Sequence, residues 1–202
     1  YTSTALARFD QNGRLMACTW LGDPTWYGGV CLATDDSSNV FVWGITSGEQ
    51  SFVPRGAIED SIRVKSSHKD TIITTSALVK FSPNLDRVLA GTYLFPQPER
   101  IGGFRLDYLM NVTHDGGIVF AIRLDTEYPP PVIRGWQNPE GLNDILLCKL
   151  DRNLRRYIFT AWMGCTDASV SDLTIDDNGY IIVAGYYSGI RFELPLHAPI
   201  SD

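Results

Sequence analysis

The sequence is poor in the residues and motifs from which enzyme and metal sites are most often built. It holds three histidines and four cysteines, and none of them stands in the Cys-x-x-Cys or His-x-x-x-His spacing that zinc favours. It has neither a Gly-x-Ser-x-Gly nucleophile motif nor a glycine-rich phosphate loop between a strand and a helix. These absences leave serine hydrolases, nucleotide-binding enzymes and zinc proteins without support in the sequence.

Clustered positive charge and long apolar runs are also missing. The 17 basic residues are scattered almost singly and the net charge is −6, whereas binding to phosphates requires clustered Lys and Arg. No apolar run approaches the roughly 20 residues that a membrane-spanning helix needs. We therefore expect no nucleic-acid partner and no membrane span.

Helical periodicity is almost absent, and short runs of Val, Ile, Phe, Tyr and Thr alternate with turn residues instead. Gly, Asn and Asp cluster where a hairpin must reverse, for example in residues 10–13 and 176–179. The sequence thus predicts an all-β chain of three units with four strands each. The predicted strands are 5–9, 14–22, 29–34 and 40–45, then 76–81, 87–95, 105–112 and 118–123, and finally 144–150, 155–163, 170–175 and 180–186.

One phrase occurs three times along the chain, as ALARFD in residues 5–10, ALVKFS in 77–82 and LLCKLD in 146–151. The spacing between copies is 72 and then 69 residues, and a strand-rich repeat of this length indicates a propeller or another repeat array. Four antiparallel strands per repeat are typical of a propeller blade. We predict one partial β-propeller of four-stranded antiparallel blades. About three blades are expected, at approximately residues 1–58, 59–136 and 137–202.

The order of these phrases resembles the bacterial β-propeller repeat known as the SBBP repeat. That pattern runs Asp-Ala-Phe-Val-Ala-Lys-Leu-Asp-x-Asn-Gly, then a strand ending Thr-Tyr-Leu-Gly-Gly, then Asp-x-x-Gly-Asn-Val-Tyr-Val-Thr-Gly, and later Phe-Pro and Gly-Ala-Phe-Gln. The matching segments are 5–13, 19–22, 36–44 and 52–57, with 143–153, 162–164 and 176–185 in the third unit. The second unit departs from the pattern, with Ile122 at the terminal glycine position and Phe95 and Pro96 after Leu94. The resemblance implies a secreted or cell-surface protein of bacterial type, and it implies no catalytic residues.

Three blades do not close a ring, because propellers typically contain about four to eight. The chain begins at Tyr1 and ends within the third occurrence of its own linking phrase, which starts at residues 192–195 after occurrences at 52–57 and 131–136. Either a longer parent protein supplies further blades, or copies self-associate, for example as two chains in a six-bladed ring. An open arc would expose an apolar blade face at each end. We favour the longer parent protein.

Aromatic residues fall into two sets. Trp20, Tyr93 and Trp162 stand at equivalent strand ends, so we expect them to pack between neighbouring blades. A second set lies in predicted loops, where recognition often takes place on a rigid β scaffold. These candidate binding residues are Trp26, Tyr27, Tyr128 and Trp136. The alternative for this set is that the rings cover hydrophobic edges beneath long loops.

No cofactor is expected, although calcium is open because two turns carry adjacent oxygen donors. The calcium candidates are Asp35, Asp36, Asp176 and Asp177. Asp side chains also favour tight turns for their own reasons, and neither segment has a complete calcium-loop pattern. The four cysteines, Cys18, Cys31, Cys148 and Cys165, are expected to be reduced, with a bridge between the first two left open.

The sequence predicts a non-enzymatic extracellular or cell-surface module that acts as a scaffold or recognition surface for a protein or glycan partner. The alternative is a propeller-fold hydrolase or lyase that uses loop carboxylates. The acids that could serve it are Glu59, Asp60, Glu127 and Glu140. The three histidines, at 68, 114 and 197, are far apart in sequence, and we expect them in solvated loops.

Overall fold

The computed structural model describes residues 4–21, 26–46, 53, 57–58, 74–97, 109–124, 144–163 and 169–186. These residues form β-strands and turns and contain no helix, which confirms the prediction of an all-β chain. The strands are β1 (Thr4–Phe9), β2 (Leu15–Leu21), β3 (Trp26–Thr34), β4 (Val40–Thr46), β5 (Thr74–Phe81), β6 (Val88–Gln97), β7 (Leu109–Val112), β8 (Ile118–Leu124), β9 (Asp144–Leu150), β10 (Tyr157–Met163), β11 (Ser169–Ile175) and β12 (Ile181–Tyr186). Each of them overlaps one of the predicted strands.

The clearest difference in strand bounds is at β3, which begins at Trp26 rather than at residue 29. Its register against β4 shifts between Trp26 and Gly28 and again between Gly29 and Cys31. Glycine lowers the steric cost of such bulges, so β3 continues through the segment that reads as a loop in the sequence.

The twelve strands form four antiparallel sheets. Two sheets have four strands, in the orders β3-β4-β5-β6 and β7-β8-β9-β10, and two have only a pair, β1-β2 and β11-β12. The pairing differs from the grouping of strands in the sequence, because each four-stranded sheet joins the last two strands of one unit to the first two of the next. A repeat in sequence defines a period but not the point at which a sheet begins. The boundaries of the sheets are therefore defined by the hydrogen bonds between strands and not by the sequence repeat.

Three apolar clusters hold the four sheets together face to face. The largest lies between the two four-stranded sheets, where Trp43 of β4 meets Phe120 of β8 edge-on, with ring centroids 5.1 Å apart. A second cluster joins Leu6 and Leu21 of the β1–β2 sheet to the next sheet. A third joins Val170 and other residues of β11 to the sheet of β7–β10. Because each side chain in these clusters leaves water, burial is the main stabilising contribution to the stack.

The sheets also approach one another at a common edge. Strand β3 contacts β7, and β7 contacts β11, so the first strands of three successive sheets lie side by side. Cys31 of β3 is half-buried at this edge. Burial raises the pKa of the Cys31 thiol and outweighs backbone hydrogen bonds, the larger of them at Met110 of β7, that act in the opposite direction.

Six hairpin turns in the described residues share one backbone design. In each, the amide of the fourth turn residue donates to the carbonyl of the first, and the fourth residue has a positive φ. The residues at this position are Gly13, Ser38, Leu85, Gly116, Leu154 and Gly179. A left-handed φ suits glycine and disfavours leucine. Leu85 and Leu154 adopt it nevertheless, because both side chains are buried in the inter-sheet clusters.

The prediction that three equivalent aromatic residues pack between sheets is confirmed for two of them. Tyr93 and Trp162 are buried, but Trp20 is 69% exposed, so the prediction is wrong for that residue. Tyr93 and Trp162 face the sheet that precedes their own. Within the described part of the chain no sheet precedes β1–β2, so no described sheet covers the indole of Trp20.

Among the cysteines, Cys18, Cys31 and Cys148 are free thiols, as expected, and Cys165 lies outside the described residues. Burial raises the pKa of the Cys148 thiol well above its ordinary value. Cys18 and Cys31 belong to different sheets, so a bridge between neighbouring hairpin strands is not formed there. None of the described residues belongs to a helix long and apolar enough to cross a membrane.

Candidate functional site

Of the four predicted binding aromatics, two lie in the described residues and two lie outside them. Trp26 and Tyr27 lie in strand β3, where Trp26 is opposite Thr46 of β4, and their placement in a loop was therefore wrong. Tyr128 and Trp136 lie outside the described residues. The structure does not bring these four residues into one described site, and their role in binding stays a prediction.

The carboxylate of Asp35 is fully engaged within its own sheet. Its Oδ1 accepts hydrogen bonds from the amides of Ser37 and Asn39, and its Oδ2 accepts one from the Asn39 side chain at 2.9 Å. Oδ2 also lies 2.9 Å from Nζ of Lys80. Partial burial alone would raise the pKa of Asp35, but the hydrogen bonds from Asn39 and Lys80 outweigh it and hold that pKa below its usual range.

Asp176 has a similar turn role. Its Oδ1 accepts hydrogen bonds from the amides of Asn178 and Tyr180, at 2.9 and 2.8 Å. The neighbouring calcium candidates, Asp36 and Asp177, have exposed side chains. Among the described residues, no group of three or more His, Cys, Asp or Glu side chains is placed to hold a metal ion. The turn role of Asp35 and Asp176 is thus established, and calcium binding stays a prediction.

The acids considered for the enzymatic alternative, Glu59, Asp60, Glu127 and Glu140, all lie outside the described residues. So do His68 and His197. His114 is exposed in the turn between β7 and β8, and its Nε2 lies 3.1 Å from the carbonyl oxygen of Asp176. This imidazole therefore links the turns of two adjacent sheets.

A cation on one sheet reaches the turn of the next sheet at two equivalent places. Arg8 of β1 donates from Nη1 to the carbonyl of Pro83 at 2.6 Å, and Pro83 is the second residue of the β5–β6 turn. Lys80 of β5 donates from Nζ to the carbonyl of Arg152 at 3.3 Å, and Arg152 is the second residue of the β9–β10 turn. We call this contact the cation latch. The repeated phrase of the sequence contains the cation of each latch, but sequence alone gave no sign of its partner.

The third member of the series is Lys149 of β9. Its Nζ lies 2.8 Å from Oδ2 of Asp115 in the turn between β7 and β8. Hydrogen bonds from Lys149 and then from the Thr113 hydroxyl lower the pKa of Asp115 to about 2. Arg8 and Lys80 each reach the hairpin turn of the next sheet. For Lys149 the equivalent hairpin would follow β11–β12, and the described residues contain no such hairpin.

The two ends of the stack expose apolar surface. On the face of β1–β2 that points away from the stack, Phe9, Met16 and Trp20 are exposed. We call this surface the first end face. At the other end, Ile182 and Tyr186 of β12 are exposed, together with Tyr180 next to it, and we call this surface the last end face.

A groove of about 410 Å³ runs beside the free edge of β1. It is bounded by β1, by Leu32 and Thr34 of β3, by Val40 at the start of β4 and by the left-handed residues Ser38 and Leu85. No strand in the described part of the chain pairs with this edge of β1, nor with the outer edge of β12. An exposed strand edge offers backbone donors and acceptors to an added strand. The groove and the end faces therefore form the candidate site for a protein contact.

Comparison with known proteins gives no relative: no protein-family model matches this chain, and no curated protein is significantly similar to it.

Proposed function

We propose that this chain is a segment of a β-propeller, related to the SBBP repeats, that acts as a non-enzymatic scaffold or recognition module at a bacterial cell surface or outside the cell. Support for the propeller comes from the face-to-face stacking of antiparallel sheets and from the contacts among β3, β7 and β11 at one edge. In a propeller, the innermost strands of successive blades lie side by side around the axis. The two four-stranded sheets would be complete blades and the two pairs half-blades.

The observation that carries the scaffold function is the repeated bracing of the turns. Each described turn is held by its own backbone hydrogen bonds, and two of them accept a cation latch from the sheet before. Loops held in this way lose little conformational freedom when they bind a partner, which lowers the ordering cost of association. A rigid array of turns is suited to presenting a surface to a protein or a glycan.

The end faces favour a protein as one of the partners. Phe9, Trp20, Ile182 and Tyr186 are large, apolar or amphipathic, and exposed. Aromatic side chains dominate the energetics of protein interfaces, and exposed apolar patches on globular proteins commonly mark interaction sites.

The test compares recognition with turnover. The chain would be applied to an array of immobilised bacterial surface polysaccharides, and the release of reducing ends would be measured in parallel. A recognition module retains a polysaccharide without releasing reducing ends, and loses it when Trp26→Ala is combined with Trp136→Ala. Charge-neutral replacement of the four loop acids leaves that binding unchanged.

The enzymatic alternative predicts the opposite pattern. Reducing ends would then be released by the unaltered chain, and release would be lost in Glu127→Gln or Glu140→Gln while the Trp variants kept turnover. That result would overturn the scaffold function. It would leave the proposed fold intact, since paired carboxylates across an axial face are compatible with a propeller.

A further inference from the structure

The two-stranded sheets at the ends of the stack correspond to complementary halves of one four-stranded sheet. By sequence phrase and by position, β1–β2 corresponds to β5–β6 and β9–β10, and β11–β12 corresponds to β3–β4 and β7–β8. We propose that β12 of one copy pairs with β1 of a second copy of this chain, so that the two halves complete a blade. The proposal rests on the propeller fold proposed above and names a partner for it.

The complete sheets define how the two halves would meet. Strand β4 pairs with β5 so that Val42 lies opposite Val79, and β8 pairs with β9 so that Phe120 lies opposite Cys148. In each case both residues of the pair belong to the same inter-sheet cluster, so their side chains point to the same face. Both pairings run without a register shift along their length.

The same register can be carried over to the ends. Val183 is the third residue of β12, as Val42 and Phe120 are of their strands, and Ala7 stands two residues before the last residue of β1. The inferred pairing therefore places Val183 of one copy opposite Ala7 of the second copy. Ile181 would then lie opposite the second copy's Phe9, and the apolar sides of both strands would share one face.

The exposed residues of the first end face are the ones that such a partner would cover. Phe9 is 59% exposed and Trp20 69%, whereas their counterparts Phe81 and Tyr93 are buried against the preceding sheet. In the assembly, the sheet preceding β1–β2 is the β7–β10 sheet of the other copy. The first end face thus matches in composition the faces that are buried at the three inter-sheet contacts of the described residues.

The last end face is also exposed where its counterparts in the complete sheets are buried. In the proposed pairing it lies against the groove beside β1 of the second copy. Ile182 is 52% exposed, while Phe41 at the equivalent position of β4 is fully buried against the next sheet. With β12 of one copy paired to β1 of the second copy, Ile182 points into the groove lined by Leu6 and Val40 of that second copy. The isoleucine side chain is apolar, as are Leu6 and Val40 in the groove lining, so burial there is favourable.

The cation latch supplies an independent, polar argument. Arg8 and Lys80 each reach the carbonyl of the second residue in the turn of the next sheet. The equivalent turn beyond Lys149 is the β1–β2 turn of the second copy, whose second residue is Gln11. Lys149 is already oriented by Asp115 at 2.8 Å, and it would donate to the Gln11 carbonyl of the second copy.

The number of copies follows from the count of blades. The described residues of each copy form two four-stranded sheets and two complementary halves, which together amount to three blades. Head-to-tail contacts close into a ring when the rotation permits it, and propellers of about four to eight blades are the known range. Two copies give six blades, while three would exceed that range.

The experiment measures mass and register together. Sedimentation or light scattering of the full chain is expected to give 45 kDa, twice the 22.5 kDa of one copy. Under oxidising conditions, Ala7→Cys combined with Val183→Cys is expected to cross-link two chains, in a background in which Cys18→Ser removes the exposed natural thiol. The matched control, Ala7→Cys with Ile182→Cys, is one residue out of register, so its thiols point to opposite faces and should not form the bridge.

Every other result counts against the proposal, and each one identifies which step of the argument is wrong. A monomer with no cross-link would mean that the end faces do not meet a second copy. A monomer with an Ala7–Val183 bridge inside one chain would mean closure by three blades, and species larger than a dimer would mean an open assembly. Val42→Cys with Val79→Cys tests the internal sheet, so its failure to form a bridge would overturn the blade assignment itself rather than the dimer.

Discussion

Nζ of Lys80 lies 2.9 Å from Oδ2 of Asp35, and both side chains are nearly buried, at 10% and 8% exposure. Lys80 of β5 is opposite Phe41 of β4, and its ammonium lies 4.8 Å from the centroid of that ring. The same ammonium donates to Arg152 in the next sheet. One side chain thus connects a turn, a ring and a neighbouring sheet.

Removing the Lys80 amine should therefore destabilise the chain strongly. Lys80→Met keeps the stem but leaves the Asp35 carboxylate without its cation, and breaking a buried pair costs about 3 kcal/mol of unfolding free energy. Urea unfolding at fixed protein concentration measures the loss. Arg87→Met is the matched control, because Arg87 and Asp86 are 75% and 60% exposed and their nearest atoms are 3.8 Å apart. An exposed pair of that kind contributes about 0.5 kcal/mol or less, and equal losses in the two variants would refute the role given to Lys80.

The pKa of Asp115 gives a prediction about pH. Its folded-state value of about 2 lies below the ordinary 3.8, so its contribution to stability is fully present above pH 3.8 and is lost as the pH falls toward 2. Lys149→Met should raise the pKa of Asp115 toward 3.8. Titration of the carboxyl carbon by NMR measures this shift. In the control Lys80→Met the pKa of Asp115 should not move, and a shift of equal size there would show that the effect is not due to the local pair.

Because Leu154 has a left-handed backbone, we expect its glycine variant to be more stable than its alanine variant, which is the reverse of the usual order. Leu154→Ala removes a fully buried side chain and should cost about 3 kcal/mol. Leu154→Gly removes one carbon more, yet it relieves a left-handed backbone that costs a non-glycine residue about 1–2 kcal/mol. The glycine variant should therefore be more stable than the alanine variant by about 1 kcal/mol.

The control for that prediction is Leu78, which is equally buried but lies within a strand. There the usual order should hold, with Leu78→Gly less stable than Leu78→Ala by about 0.5–1 kcal/mol. Thermal or urea unfolding of all four variants decides the matter. If glycine were the worse residue at both positions, φ would not be the factor that separates them.

The contact between Trp43 and Phe120 should be energetically coupled. Their rings meet at 65°, and edge-to-face pairs contribute about 0.5–1.5 kcal/mol beyond the area they bury. A double-mutant cycle with Trp43→Leu and Phe120→Leu measures this coupling. The control cycle combines Trp43→Leu with Leu6→Ala, which lies in a different cluster, and should be additive within about 0.5 kcal/mol. Additivity in the first cycle would contradict the stacking of these two sheets.

Much of the local structure could be predicted from the sequence, and the reasons are physical. Alternating apolar residues and Asp–Gly turns determine where a strand starts and stops, so each of the twelve strands in the described residues overlaps a predicted one. Which strands share a sheet could not be predicted, because β4 and β5 pair across the long interval 47–73 while β2 and β3 are adjacent in sequence and do not pair. Hydrogen bonding between strands depends on the arrangement of whole sheets, which a repeat period does not specify.

The site was predicted less well. Trp20 matches Tyr93 and Trp162 in its local sequence, but it is exposed, and no sheet of the described residues precedes its own. Asp35 reads as a possible cation ligand, but its cation is the side chain of Lys80, 45 positions further along the chain. The latch acceptors are backbone carbonyls, which carry no signature in the identity of the residue. Each of these features depends on a neighbour in space that the local sequence does not name.

The offset between sequence repeats and sheets has an evolutionary consequence. Among the described residues, each predicted unit carries a strand pair of one sheet and a strand pair of the following sheet. Duplicating or deleting a whole unit therefore changes the number of sheets without altering the two-stranded sheets β1–β2 and β11–β12. A gene encoding such a chain could gain or lose units in single steps, and the described part of every resulting array would still carry the strand pairs β1–β2 and β11–β12.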